Sequence, residues 1–211
     1  MQLRARRLPY DAEAARKHLL RADPVMRDIV KNVGPFTIEL RGRPYQSLMR
    51  ALLYQQLAGA AAAAIERRFL ALYGGRAPEP RELLATAPED LRAAGLSRQK
   101  SSYLRSLAEH FSDGLLNDRE LLRMDDEAIV EAVCQVKGVG RWTADMLLLF
   151  CVGRPDVLPV GDLGVRASMM KAYGLDALPD PATMERIAEP WRPYRGAGAW
   201  YLWRRADTVT L

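Results

Sequence analysis

The sequence predicts an all-α protein. Apolar residues recur at the three- and four-residue spacing of amphipathic helices in about ten segments. Those segments are separated by glycine, proline and short polar caps, and no βαβ alternation or internal repeat runs through the chain. With 211 residues, the chain has length for one large or two small domains and a sizeable core.

Taken in order, AEAARKHLLRAD reads as a first helix and PVMRDIVKNVG as a second, shorter one. FTIEL alternates apolar and polar residues and is expected as a short strand. PYQSLMRALLYQQLAGAAAAAIERRFLALYGG then gives two helices divided near Leu57 to Gly59. The first carries Leu48, Leu52 and Leu53, the second Ile65, Phe69 and Leu72, and the alanines imply close helix packing. RELLATAPEDLRAAG adds two helical turns, broken before Pro88 and capped by Gly95. In GLSRQKSSYLRSLAEHFSDG, Ser97 is an N-cap, Leu104, Leu107 and Phe111 form the stripe, and Gly114 closes the helix. DDEAIVEAVCQV puts Ile129, Val130, Val133 and Val136 on one face, and ADMLLLFCVG is an apolar helix ending at Gly153. Asp162 opens LGVRASMMKAYG, ending at Gly174; ATMERIAEP is stopped by Pro190; RGAGAWYLWRRAD is the last helix.

Lys and Arg number 31 against 26 Asp and Glu, a net charge of +5, which permits nucleic-acid binding without demanding it. The one concentrated basic run, RARRLPY at 4–10, is read as a solvated terminus. Cys134 and Cys151 are read as small buried residues in a reducing cytosol, and two cysteines cannot hold a four-thiolate cluster. His18 and His110 lack ligand spacing, so no side-chain metal site is expected. Residues 1–20 are charged throughout and no apolar run reaches membrane-spanning length, so neither a signal peptide nor a membrane association is expected.

The stretch VKGVGRWTAD at 136–145 sets two glycines one residue apart between two helices. Gly138 and Gly140 allow positive φ and close backbone approach, and the second helix begins with unpaired N–H groups at the positive end of its dipole. Such a turn suits an anion, and phosphate best of all.

This hairpin, followed by LPVGDLGVR at 158–166, resembles the helix-hairpin-helix DNA glycosylase superfamily, and within it the 3-methyladenine DNA glycosylase II family. ALLYQQLAGAAAAAI, AGLSRQKSSYLRSLA and WRPYRGAGAWYLW resemble three further blocks of that family, and the match runs in order from about residue 24 to 206. Longer bacterial relatives carry an extra N-terminal β-rich domain for which 211 residues leave no room. The resemblance implies the helix-hairpin-helix glycosylase fold over 1–211, with two helical subdomains and a DNA-binding cleft between them. Residues 40–155, containing the hairpin, would form the central subdomain, and 1–39 with 156–211 the second.

By itself Asp162 is a good N-cap; the resemblance makes it the catalytic carboxylate as well. N-alkylated purines are cationic leaving groups, so one ionised carboxylate suffices to stabilise positive charge on the sugar and place a water, and no carboxylate pair of glycoside-hydrolase type is visible. Trp142 stands where bifunctional members have a Schiff-base lysine, which implies a monofunctional enzyme; Lys137 belongs to the turn as a phosphate neighbour. Trp142, Met146 and Trp203 are implied walls of a base pocket, the two indoles by stacking and cation–π contact, Met146 as a smaller wall that widens it. Trp200 and Tyr201 are less firmly matched neighbours, Trp200 better read as packing, and Asp145 reads as a helix-start partner. Gly138, Val139, Gly140, Arg141 and Thr143 form the implied DNA-binding set. Thr143 has two readings, a phosphate donor or a cap, and so does Arg141, a DNA contact or a solvated charge. Gln56 and Leu57 both qualify as the side chain inserted into the duplex after nucleotide extrusion, beside Gln55 in the same junction.

The implied activity is hydrolysis of the N-glycosidic bond of alkylated bases such as 3-methyladenine and 7-methylguanine, in base excision repair. The implied partner is double-stranded DNA containing such bases, bound by a monomer in a bacterial cytoplasm, associated with the nucleoid. No organic cofactor is expected; the hairpin carbonyls are a candidate site for a monovalent cation. A non-catalytic helix-hairpin-helix DNA-binding module would need the hairpin but not Asp162 with Trp142 and Trp203. A bifunctional lyase is disfavoured by Trp142, and a generic helical interaction protein leaves the hairpin without purpose.

Overall fold

The computed structural model describes residues 7–40, 42–57 and 59–208, so the start of the basic run at 4–10 lies outside the described residues. Two helices open the chain, α1 (Ala12–Ala22) and α2 (Pro24–Val33). They are followed by α3 (Pro44–Tyr54), α4 (Gly59–Ala71), α5 (Pro80–Ala85), α6 (Pro88–Ala93) and α7 (Arg98–Ser112). The hairpin region contains α8 (Asp118–Leu121), α9 (Asp126–Val133) and α10 (Arg141–Leu147), the last running into a π-helical turn, Leu148–Val152. Three helices close the described chain: α11 (Leu163–Tyr173), α12 (Pro181–Ala188) and α13 (Arg195–Thr208).

Most boundaries follow from local chemistry. Asp11, Ser97, Asp125 and Asp180 each accept a hydrogen bond from a first-turn backbone N–H. Gly174 closes α11 in the left-handed conformation, φ 64°. Two expectations fail. FTIEL forms no strand: among the described residues 36–40, Leu40 makes only an isolated bridge. Its alternation is real, since Phe36 and Leu40 are buried, but among the described residues no second strand shares a ladder with it. Leu72 falls beyond the end of α4 and is 42% exposed, outside the stripe.

The chain divides into two compact units, one of residues 42–147, the other of 1–41 with 148–211. In the continuous unit α3 is the central helix, packed by α4, α7, α8 and α10 and burying Tyr45, Leu48, Leu52 and Leu53. The backbone N–H of Tyr45 at its start donates to Asp118 Oδ1 at 2.8 Å, a cap supplied by α8. In the discontinuous unit α13 packs against α1, α2 and α11, around a core that includes Leu19, Met26, Val165, Met169, Trp191 and Tyr201. The π-helical turn belongs to this unit, and Gly153 after it has φ 83°, with Leu40 and Pro9 where a Cβ would stand. No described helix is long and apolar enough to cross a membrane.

Asp23 is the polar pin of the discontinuous unit. Its Oδ1 accepts from Met26 N at 2.7 Å, capping α2, while Oδ2 accepts from Tyr173 Oη at 3.0 Å and from the indole Nε1 of buried Trp191 at 2.9 Å. Burial and the adjacent carboxylate hold the Tyr173 phenol far above its ordinary pKa, so it stays a donor. An Asp23→Ala change removes the cap and strands two donors, for an expected loss of about 2–5 kcal/mol. Thermal unfolding should show Tm lower by roughly 5–15 °C; a fall of under about 2 °C would mean that the network contributes little.

Candidate functional site

Local chemistry places Asp162 first. It is the N-cap of α11, with extended backbone (φ −80°, ψ 118°), and its Oδ1 accepts from Val165 N at 2.8 Å. The same oxygen accepts from the indole Nε1 of Trp203, on α13, at 2.9 Å. Two N–H donors on one oxygen, one of them from the first turn of a helix, fix the carboxylate rotamer. Gly164 keeps the space clear: a Cβ there would stand 3.1 Å from Asp162 Oδ1 and 3.3 Å from Trp203 Cδ1. Leu163, between them, is 64% exposed.

Trp203 is half-buried, and its ring lies 5.5 Å from that of Phe150, tilted by 35°. Phe150 sits in the π-helical turn, and the sequence reading missed it because the run LLLFCV looks uniformly apolar. Its signal was present in the spacing, since Trp142, Met146 and Phe150 follow one another at four-residue intervals. Trp200 is 9% exposed, packed edge-on against Phe36 and Tyr201, so it is a core residue. Tyr201 is fully buried with its hydroxyl donating to Gly34 O.

The hairpin lies in the other unit. Gly138 has φ 86°, and a Cβ there would stand 2.3 Å from the Tyr103 ring. Of the two glycines only Gly138 uses the left-handed region; Gly140 needs no positive φ and has open space where a Cβ would go. Its carbonyl accepts from Ala144 N at 3.1 Å, which makes it the start of α10, and it is exposed. Val139 leaves the phosphate-contacting set: its side chain is 7% exposed and its N–H donates to Val136 O at 3.0 Å. Thr143 leaves it too, because its side chain is 1% exposed and Oγ1 accepts from Gln55 Nε2 at 3.0 Å. Packing decided both, and neither was visible in the motif.

Arg141 is exposed but not simply solvated. Its Nε donates to Asp145 Oδ1 at 3.0 Å, and its Nη1 lies 3.4 Å from Glu127. Asp145 is 2% exposed, and burial pushes its carboxyl up to about 6 despite the guanidinium, so it is a buried anchor for Arg141. Trp142 and Met146 are half-buried on α10. Gln56 and Leu57 are exposed in the turn after α3, and Gln56 has φ 56°. Cys151 is buried and Cys134 half-buried. Among the described residues no three His, Cys, Asp or Glu side chains gather as metal ligands.

A family model described as HhH-GPD superfamily base excision DNA repair protein matches residues 49–193. The chain is 37% identical over 192 residues to DNA-3-methyladenine glycosylase 1 of Schizosaccharomyces pombe, covering 89% of this chain and 84% of that one. A solved structure of the S. pombe 3-methyladenine DNA glycosylase in complex with abasic DNA superposes with a TM-score of 0.88 at 36% identity, over 92% of this chain and 97% of that one. A DNA-3-methyladenine glycosidase from Bacillus halodurans gives a TM-score of 0.77 at 33% identity, over 92% and 90% of the two chains.

The two hairpin glycines should separate by stability. Gly138→Ala meets both an unfavourable φ and the Tyr103 ring and should cost about 2–4 kcal/mol. Gly140→Ala should cost less than about 1 kcal/mol. Urea unfolding of the two variants checks this, and equal losses would contradict the assignment.

Proposed function

The chain belongs to the HhH-GPD superfamily of base excision DNA repair proteins, and we propose that it is a monofunctional DNA glycosylase that hydrolyses the N-glycosidic bond of alkylated bases after flipping them from duplex DNA. The observation that carries this reading is the doubly held Asp162 carboxylate, capped into α11 and bonded to the Trp203 indole. A module that only bound DNA would have no use for it.

In this reading the ionised carboxylate faces the sugar as positive charge builds on it, while the alkylated base departs. The base is already cationic, so leaving-group protonation adds little. Asp162 supplies electrostatic stabilisation and orients the attacking water. Trp142 and Met146 contact the flipped base, and Trp142 offers no amine for a Schiff base. Lys137 is exposed in the hairpin turn, its backbone N–H on Ser106 Oγ.

Double-stranded DNA is held in part by the hairpin, with the Gly138 and Gly140 backbone and the anchored Arg141 meeting phosphates. Of the two wedge candidates the backbone favours Gln56, since a left-handed non-glycine residue at an exposed turn is strain of the kind concentrated at functional sites. The hydrolysis needs no organic cofactor. The carbonyls of Val136, Gly138 and Gly140 each accept a protein hydrogen bond, and a monovalent cation there would use their remaining lone pairs. A monomer suffices for every role assigned here.

The test is base release from duplexes each carrying one lesion. Asp162→Asn keeps a cap but loses the charge, so release should fall by at least ~10² while duplex affinity stays within a few-fold. The wild-type protein should leave the strand intact until alkali is added, and borohydride should trap no covalent adduct. Near wild-type turnover by the variant, or an efficient adduct, would contradict the reading.

A further inference from the structure

The turn after α3 is fixed at more points than a solvent loop needs. Gln55 Nε2 donates to Gly138 O at 2.9 Å and to Thr143 Oγ1 at 3.0 Å, so one amide spans both sides of the hairpin. The Gln55 carbonyl accepts from Lys100 Nζ at 2.9 Å, and the same ammonium donates to Leu53 O. Both carbonyls belong to the C-terminal end of α3, where unpaired C=O groups and the negative end of the dipole favour a cation. Lys100 is half-buried and its pKa is lowered by desolvation, so its charge is held there against a cost. On the outer edge of α3 and α4, Tyr54 Oη donates to Glu66 Oε2 at 2.7 Å and accepts from Arg50 at 2.9 Å. Between these attachments Gln56 takes φ 56°, the one non-glycine residue in the left-handed region among the described residues. Strain of that kind persists where the surroundings over-determine it.

We propose that Gln55 and Lys100 are positioning residues that join the Gln56–Leu57 turn rigidly to the hairpin, so that phosphate capture and side-chain insertion act as one element. The proposal rests on the glycosylase reading. Extruding a paired nucleotide costs stacking and pairing energy, and a wedge held in place avoids the further entropic loss of ordering a loop during insertion. Hairpin contacts alone set the register, because phosphate contacts position a protein on DNA without reading sequence.

The experiment compares release of one alkylated base from two duplexes, one with the lesion paired and one with it opposite an abasic-site analogue, where little pairing has to be broken. Gln55→Leu should lower single-turnover release from the paired duplex by about 10-fold or more and from the other by less than about 3-fold. A 2-aminopurine beside the lesion should brighten less on binding. Lys100→Met should repeat the pattern and Lys100→Arg should restore the paired rate to within about 3-fold. If Gln55→Leu fails to fold, the Lys100 pair carries the same comparison. Equal losses on both duplexes, tracking a drop in melting temperature, would overturn the proposal and leave both residues as packing. Wild-type protein that releases no base from either duplex would instead overturn the glycosylase reading, and the proposal with it.

Discussion

One oxygen atom ties together the helices of the discontinuous unit. Asp162 Oδ1 receives the N–H of Val165 from the first turn of α11 and the indole N–H of Trp203 from α13. A capping aspartate is ordinary; one whose capping oxygen is also claimed by a tryptophan from another helix has its rotamer held from two sides. The rest of the discontinuous unit serves that constraint. Ser168 on α11 donates to Leu202 O on α13 at 2.7 Å, tying the two helices together one residue before the indole. Asp23 links α2 to Tyr173 at the far end of α11 and to Trp191 ahead of α13. Gly164 leaves room for the bond to form, and Phe150 limits where the Trp203 ring can lie.

The continuous unit is built on a different logic, in which the backbone of one tight turn is held in place by the side chains around it. Its hairpin glycines divide their labour: Gly138 admits the Tyr103 ring in a left-handed turn, and Gly140 opens α10 with nothing over it. Asp145 holds Arg141 from beneath. Thr143, which the motif suggested as a phosphate donor, instead turns inward to Gln55. Polar residues in such a motif can therefore be internal braces, as Thr143 is.

Much of this was legible from sequence. The helix order, the N-caps at Ser97 and Asp162 and the terminating Gly174 follow from local rules, because each depends on a few neighbouring residues. The catalytic expectation for Asp162 came from resemblance, since as a cap alone it is unremarkable. What the sequence hid was long-range. The Trp203–Asp162 bond joins residues 41 apart, the Gln55–Thr143 bond residues 88 apart, and neither leaves a periodic trace. The FTIEL alternation misled because a strand is defined by its ladder, and here Phe36 and Leu40 are buried with no ladder among the described residues. Val139 misled because a residue between two glycines looks like loop, while its side chain lies in the core.

The most direct measurement is single-turnover base release by Trp203→Phe. This change keeps an aromatic ring beside Phe150 but removes the only N–H that the side chain could give to Asp162. If that bond aims the carboxylate, release should slow by about 10-fold or more for cationic and neutral lesions alike, with duplex affinity and melting temperature little changed. Unaltered release by a folded Trp203→Phe protein would show that Asp162 does not depend on the indole for its aim.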